Sequence, residues 1–185
     1  MIINVSEKKG IKCQIGDLAV LVDPEKKASS TVVLFTKTNW PAEWTEGDII
    51  NGQGEYEASG VRIKGILLEK ESSSKLMKTA YIVVMDDIKM CFLGEVSNDL
   101  DDVVLDKIGE VDILFMAIGK PSIDVKKAVA IIKQIEPKMI IPTNMSHIKD
   151  LASELGQKTI KEDKLVIKKK DIETVNSKLI WIAGE

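Results

Sequence analysis

The hydrophobic rhythm of this 185-residue chain changes character near residue 95, and that change restricts the fold more than any other feature of the sequence. Before it, apolar residues recur with the period of two expected of strands. Val61 and Ile63, for example, alternate with Arg62 and Lys64. After it, short apolar runs alternate with stretches whose apolar residues fall three and four apart, the pattern of strand followed by helix. A strand-rich half joined to a β/α half implies layers, with helices covering sheet faces. The chain is read as one domain, 1–185, with a β-rich half over 1–95 and a β/α half over 96–185.

Individual elements follow from local signals. Residues 11–15 and 18–22 flank Gly16-Asp17, and residues 81–85 and 88–93 flank Asp86-Asp87; both read as hairpins. Asp23-Pro24 ends the strand before it, because proline cannot donate to a central ladder. Residues 31–35 are β-branched and apolar, as in a strand buried on both faces. In the second half, Leu100, Val103, Val104 and Ile108 share a helical face closed by Gly109. Residues 113–118 form a buried strand. Ser122 is the expected cap of a helix with the stripe Val125, Ala128, Val129, Ile132 and Ile135. Residues 138–141 form a strand ended by Pro142. Ser146 is the expected cap of a third helix carrying Ile148, Leu151, Ala152 and Leu155, with Gly156 at its end. Short strands are expected near 158–160, 165–168 and 179–182, and an exposed loop at 72–74.

Charge and composition exclude some functions. Apolar residues make up 44% and charged residues 30%, with a net charge of -3 and a pI near 5.4, so a nucleic-acid footprint is not expected. Lys168-Lys169-Lys170 reads as exposed charge near a turn. No apolar run approaches the ~18 residues of a membrane span. The opening MIINVSEKKG lacks the long apolar stretch of a signal peptide. A cytoplasmic protein without membrane partner is expected. Cys13 and Cys91 lie in apolar runs without CxxC spacing and read as buried, reduced thiols.

Several segments, in order, resemble the metallo-β-lactamase superfamily, especially its compact lactonase-like branch. They are residues 1–4, Leu21-Val22-Asp23-Pro24, residues 32–36, Gly52-Gln53-Gly54-Glu55-Tyr56-Glu57, residues 91–95, Val111-Asp112-Ile113-Leu114, and Ile135-Glu136-Pro137-Lys138 leading to Ile140-Ile141-Pro142. The resemblance implies an α/β fold, an αββα sandwich of two mixed β-sheets flanked by helices. It also implies an active site on loops at one edge of the sandwich, and a metal there, usually zinc, that activates water.

The residues for that metal are missing. Zinc binds chiefly through histidine, cysteine and carboxylate groups, and this chain has one histidine, His147. Where the family carries its histidine- and aspartate-rich run, this chain reads Lys37-Thr38-Asn39-Trp40-Pro41-Ala42. Phe92 replaces a histidine, Glu95 a metal-binding aspartate, and Asn144 the last histidine. Val5-Ser6-Glu7-Lys8 replaces an aromatic-x-Gly-His stretch. An ammonium at position 37 repels a divalent cation, and amide oxygens suit zinc poorly. No catalytic residue, metal or cofactor is therefore assigned. The expected function is that of a metal-free, non-catalytic member with a binding or structural role; a hydrolase of lactonase or phosphodiesterase type with a rebuilt site is the alternative. Lys37, Asn39, Glu95 and Asn144 are the candidate lining of the vacated pocket. Lysine and amides there suit a small anionic or sugar-like ligand through charge-assisted hydrogen bonds. Homo-oligomerisation through exposed sheet edges is a further expectation.

Other readings compete at particular residues. His147 is either a shifted ligand or a solvent-facing histidine in the first turn of a helix. Ser146 is adjacent to it and poorly placed for a catalytic pair. Asp23, Glu55, Glu95 and Asp99 would have to gather to bind a hard cation, though no loop spacing supports it. Gly52-x-Gly54 lacks the spacing of a phosphate loop and reads as a tight turn. Trp40 and Trp44 are either an aromatic pocket wall or part of a packed loop.

Overall fold

The computed structural model describes residues 1–6, 10–25, 32–40, 49–144 and 146–183. Two sheets carry the chain. The first contains β1 (Ile2–Ser6), β2 (Gly10–Ile15), β3 (Leu18–Val22), β4 (Val32–Leu34), β6 (Ile49–Ile50) and β14 (Leu165–Val166), in the order β14-β1-β2-β3-β4-β6. The second contains β7 (Gly54–Ala58), β8 (Val61–Leu67), β9 (Leu76–Met85), β10 (Ile88–Phe92), β11 (Ile113–Met116), β12 (Met139–Pro142), β13 (Ile160–Glu162) and β15 (Lys178–Ile182), in the order β13-β15-β12-β11-β10-β9-β8-β7. A short strand, β5 (Lys37–Asn39), pairs with β9. Both sheets are mixed: antiparallel hairpins lead into the parallel pairs β3–β4, β10–β11 and β11–β12.

The alternation of side chains in the second sheet explains its two-sided burial. Tyr81, Val83 and Met85 of β9, Met90 and Phe92 of β10, Ile113 and Phe115 of β11, and Met139 and Ile141 of β12 join Ile3, Val20, Val22 and Leu34 of the first sheet in one core. Their neighbours in sequence, Ala80, Ile82, Cys91, Leu114, Met116 and Ile140, point the other way. They meet the helices α1 (Asp102–Ile108), α2 (Val125–Ile135) and α3 (Ile148–Glu154). Strands covered on both faces have no room for a polar alternation, so they read as continuous apolar runs. A short helix, α4 (Lys169–Glu173), sends Ile172 into the core between the sheets. Among the described residues no helix is long and apolar enough to cross a membrane.

The expected hairpins form. Asp86 and Asp87 both take positive φ, 54° and 57°, and set Met85 opposite Ile88; two left-handed residues in a two-residue loop match the twist of the strands they join. The helix starts differ from expectation. Asp124, not Ser122, caps α2, and its carboxylate accepts the Lys127 N–H at 3.0 Å. An ionised acceptor at the positive end of a helix outcompetes a hydroxyl two residues earlier. His147, not Ser146, stands at the cap position of α3, with φ 63° and no side-chain cap bond. Val103 is 61% exposed instead of joining its helical stripe, because a two-turn helix buries only the narrow face of Val104 and Ile108. The lysine run at 168–170 is not simply exposed charge: it starts α4, and Lys169 pairs with Asp112.

Candidate functional site

A cavity of about 490 Å³ lies beyond the C-terminal ends of β3, β10, β11 and β12. Each strand hands over to a loop there: β3 to Asp23, β4 to Thr36, β10 to Gly94 and Glu95, β11 to residues 117–122, and β12 to Thr143 and Asn144. Open α/β sheets place ligand sites in this position because the loops diverge and leave a crevice. Phe92 and Phe115, stacked with centroids 4.5 Å apart and planes 10° from parallel, line its floor.

Asp23 ties two of these strand ends together. Its residue takes φ 52°, and its amide donates to the Leu34 carbonyl at 2.9 Å. One carboxylate oxygen accepts the Thr36 N–H at 2.7 Å and the other the Thr36 hydroxyl at 2.6 Å. Burial of the carboxylate pushes its pKa up; the two Thr36 bonds oppose this, and the neighbouring Glu95 charge adds to the rise. The residue as a whole presents surface to solvent, but its carboxylate is crowded by protein, and that local crowding governs the proton. Gly94 sits against the Thr36 side chain with φ 69°, so any Cβ there would strike the Thr36 hydroxyl and Cβ.

Glu95 is held from two sides. Its carboxylate pairs with Lys37 at 3.3 Å, and its carbonyl accepts the Lys78 ammonium at 2.6 Å. Lys78 also pairs with Glu71 at 3.4 Å. The Glu71 carboxylate accepts the amides of Ser97 and Asn98, at 3.0 and 2.7 Å, and their side chains, at 2.8 and 2.9 Å. Burial alone would raise the Glu71 pKa; the Ser97 and Asn98 bonds outweigh it and draw the group down to about 2. Glu71 and Lys78 thus fasten the whole loop that carries Glu95.

The residues expected to line the site divide. Glu95 and Asn144 line the cavity. Asn144 turns its Oδ1 to the Ile118 amide at 3.3 Å, bridging the β11 and β12 loops. Lys37 reaches the rim through its pair with Glu95. Asn39 stands opposite Leu76 on β5 and is not among the lining residues. Among the four carboxylates weighed for a hard cation, only Asp23 and Glu95 share this cavity; Glu55 lies in a groove on β7–β9 and Asp99 in the loop between β10 and α1. Trp40 is 52% exposed, and Trp44, Pro41, Ala42, Glu7 and Lys8 lie outside the described residues. Thr36, Lys78, Glu71 and Lys120 were not singled out from sequence. Thr36 had a signal in its place just before the replaced histidine run; Glu71 had none, since its loop partners Ser97 and Asn98 are 26 and 27 residues away.

The donor set does not fit a zinc centre. Among the described residues no group of three or more His, Cys, Asp or Glu side chains could hold a metal ion. The chain's one histidine is not among the lining residues and its Nδ1 lies 3.1 Å from Asp150. Both oxygens of Asp23 are engaged by Thr36, and Glu95 is engaged by Lys37. The Gly52-Gln53-Gly54 turn is bound instead by tyrosines: Tyr81 Oη accepts the Gly52 amide at 2.8 Å, and Tyr56 donates to Gln53 O at 3.0 Å.

Residues 11–144 match the sequence profile of the β-lactamase superfamily domain. Solved structures with the same fold include a metallo-β-lactamase superfamily protein from Thermotoga maritima, 18% identical over 98% of both chains with a TM-score of 0.76. A metallo hydrolase from the archaeon Ignicoccus hospitalis is 13% identical, covering 100% of this chain and 96% of that one, with a TM-score of 0.62. The metallo-β-lactamase fold protein YhfI from Bacillus subtilis is 11% identical over 100% of this chain and 97% of its own, with a TM-score of 0.58. No curated protein matches the chain in sequence.

Proposed function

The chain belongs to the metallo-β-lactamase superfamily, and we propose that it is a metal-free, non-catalytic member that binds a small polyhydroxylated ligand in the cavity beyond β10–β12. One observation carries this reading: the carboxylates at the site are bonded to the protein's own donors, Asp23 to Thr36 and Glu95 to Lys37, and no imidazole lines the cavity. A family hydrolase needs a metal to lower the pKa of water from ~15.7 to about 7, and this donor set offers it no seat.

The ligand class follows from what remains. The lining offers two carboxylates, the Lys120 ammonium, the hydroxyls of Thr36, Ser122 and Thr143, and the Asn144 amide, with aromatic rings beneath. Lys37 is paired with Glu95, and two carboxylates line the cavity against the one Lys120 ammonium, which favours sugar-like ligands over simple anions: carboxylates accept from ligand hydroxyls and repel anions. Glu95 and Asn144 contact the ligand, and Lys37 positions Glu95.

Elemental analysis of protein purified without chelator tests the first part; the expected content is well below one zinc, manganese or iron per chain. A stoichiometric metal whose removal abolishes a hydrolytic activity would overturn it. Thermal shifts against a panel of sugars and polyols test the second. A true ligand at 100 times its Kd stabilises by ~2.7 kcal/mol, a rise of several degrees in Tm, and Glu95→Gln and Asn144→Ala should abolish the rise.

A further inference from the structure

We propose that a second cavity, at the opposite end of the same sheet, binds a phosphate group through Lys89, Lys138 and Lys169. This cavity has a volume of about 530 Å³ and lies among the start of β11, the ends of α1 and α2, and α4. It is unrelated to the site proposed above, and volumes of ~300–1,000 Å³ are those of small-molecule sites.

The charge arrangement is the observation that carries the inference. Asp112 is 6% exposed and lines the cavity. Its Oδ2 accepts the Lys169 ammonium at 2.7 Å and the Lys89 amide at 2.9 Å, and its Oδ1 lies 3.6 Å from the Lys138 ammonium. The Lys89 side chain lines the same cavity and donates to the Ile108 carbonyl at 3.1 Å. One buried carboxylate needs one cation; this one has two ion-pair partners, with a third ammonium lining the cavity. Each ammonium carries three donors. Lys169 and Lys89 each use one in the bonds named, and the Lys138 contact is too long for a hydrogen bond. Three ammonium groups thus surround one buried carboxylate, and their unused donors match a doubly charged oxyanion.

The walls and the mouth narrow the class further. Leu105, Val111 and Ile135 provide an apolar side on which the body of an ester would rest. Glu110 and Glu136, both exposed, also line the cavity. Their charges oppose an extended polyanion such as a nucleic acid more than a single phosphate held by the three lysines.

Calorimetric titration of the full chain with inorganic phosphate, phenyl phosphate and benzoate, at matched ionic strength, tests the assignment, with amide chemical shifts locating the site. Saturable phenyl phosphate binding with a Kd of about 0.1–1 mM is expected, with shifts confined to residues around Asp112 and with benzoate at least ~10-fold weaker. Phenyl phosphate binding tighter than phosphate would identify an ester as the ligand; equal binding would identify free phosphate, and either supports the site. Lys138→Met should weaken binding by roughly 5-fold or more. Its contact with Asp112 is long and its side chain 42% exposed, so the fold should survive. Lys170→Met, an exposed neighbour of equal charge, should bind as the unaltered chain does. Absence of saturable binding at ~10 mM, equal weakening by both variants, or shifts clustered at Glu95 and Asn144 would overturn the proposal.

Discussion

Replacing Glu71 with glutamine tests the claim that a buried carboxylate clamps the Glu95 loop. The group falls from its ordinary value of 4.5 to about 2 on folding. At ~1.36 kcal/mol per unit that difference corresponds to at most about 3.4 kcal/mol. Its side chain is 5% exposed, but the anchored loop faces water, so screening brings the usable part to roughly 1–2 kcal/mol. The sign is fixed: a carboxylate more acidic in the folded state stabilises above its unfolded pKa and loses that contribution as pH falls from about 4.5 towards 2. Glutamine keeps one acceptor but turns an amide towards groups that are themselves donors. Glu71→Gln should therefore lose roughly 1–2 kcal/mol at pH 7, or ~2–8 °C in Tm for a chain of this size. Urea unfolding followed by circular dichroism at pH 7 and pH 3 measures the gap, which should be markedly smaller at the lower pH. Hydrogen exchange should quicken at Ser97 and Asn98. A variant as stable as the parent at pH 7, or a gap that does not shrink in acid, would refute the clamp.

Other perturbations have equally definite outcomes. The raised pKa of Asp23 works in the opposite direction: the folded chain resists ionising it, so its contribution is fullest below the unfolded carboxylate pKa and declines as pH rises through the folded one. Asp23→Asn should consequently match or exceed the parent in Tm near neutrality, with the advantage vanishing below about pH 4. Gly65→Ala places a Cβ against the Gly52 carbonyl and the Gln53 Cα, both backbone, inside the β7–β8 pairing; a loss of about 2–4 kcal/mol in urea unfolding is expected. Burial pushes the Cys13 and Cys91 thiols up to about 12. Neither should react with a thiol reagent at pH 8 until the protein unfolds, and both should then react together.

Much of the architecture is legible from sequence because it rests on short-range chemistry. The turns at Gly16-Asp17 and Asp86-Asp87 declare themselves through residue type, and the two-sided runs of β11 and β12 through unbroken apolar character. Strand β8 is similarly visible in the alternation of Val61 and Ile63, whereas its partner β7 carries no such signal. The helix starts are less legible, because Ser122 and Asp124 are both acceptable caps and only the backbone path decides between them. The site is legible as a subtraction: a single histidine is countable without coordinates. What replaced the missing groups is not, because the partners are distant in the chain. Lys37 meets Glu95 across 58 residues and Lys169 meets Asp112 across 57. Asn39 shows the limit of positional reasoning: it follows Lys37 by two residues, yet a strand pairing with β9 keeps it out of the cavity lining.

The bond pair between Asp23 and Thr36 has a consequence for how such a scaffold can change its trade. An ion-dependent pocket whose walls were spread by the ion alone would collapse once its ligands mutated away. Here a carboxylate and a hydroxyl latch two neighbouring strand ends, so the crevice keeps its outline by the protein's own means. Imidazoles around it become replaceable one at a time, each substitution tested on a shape that persists.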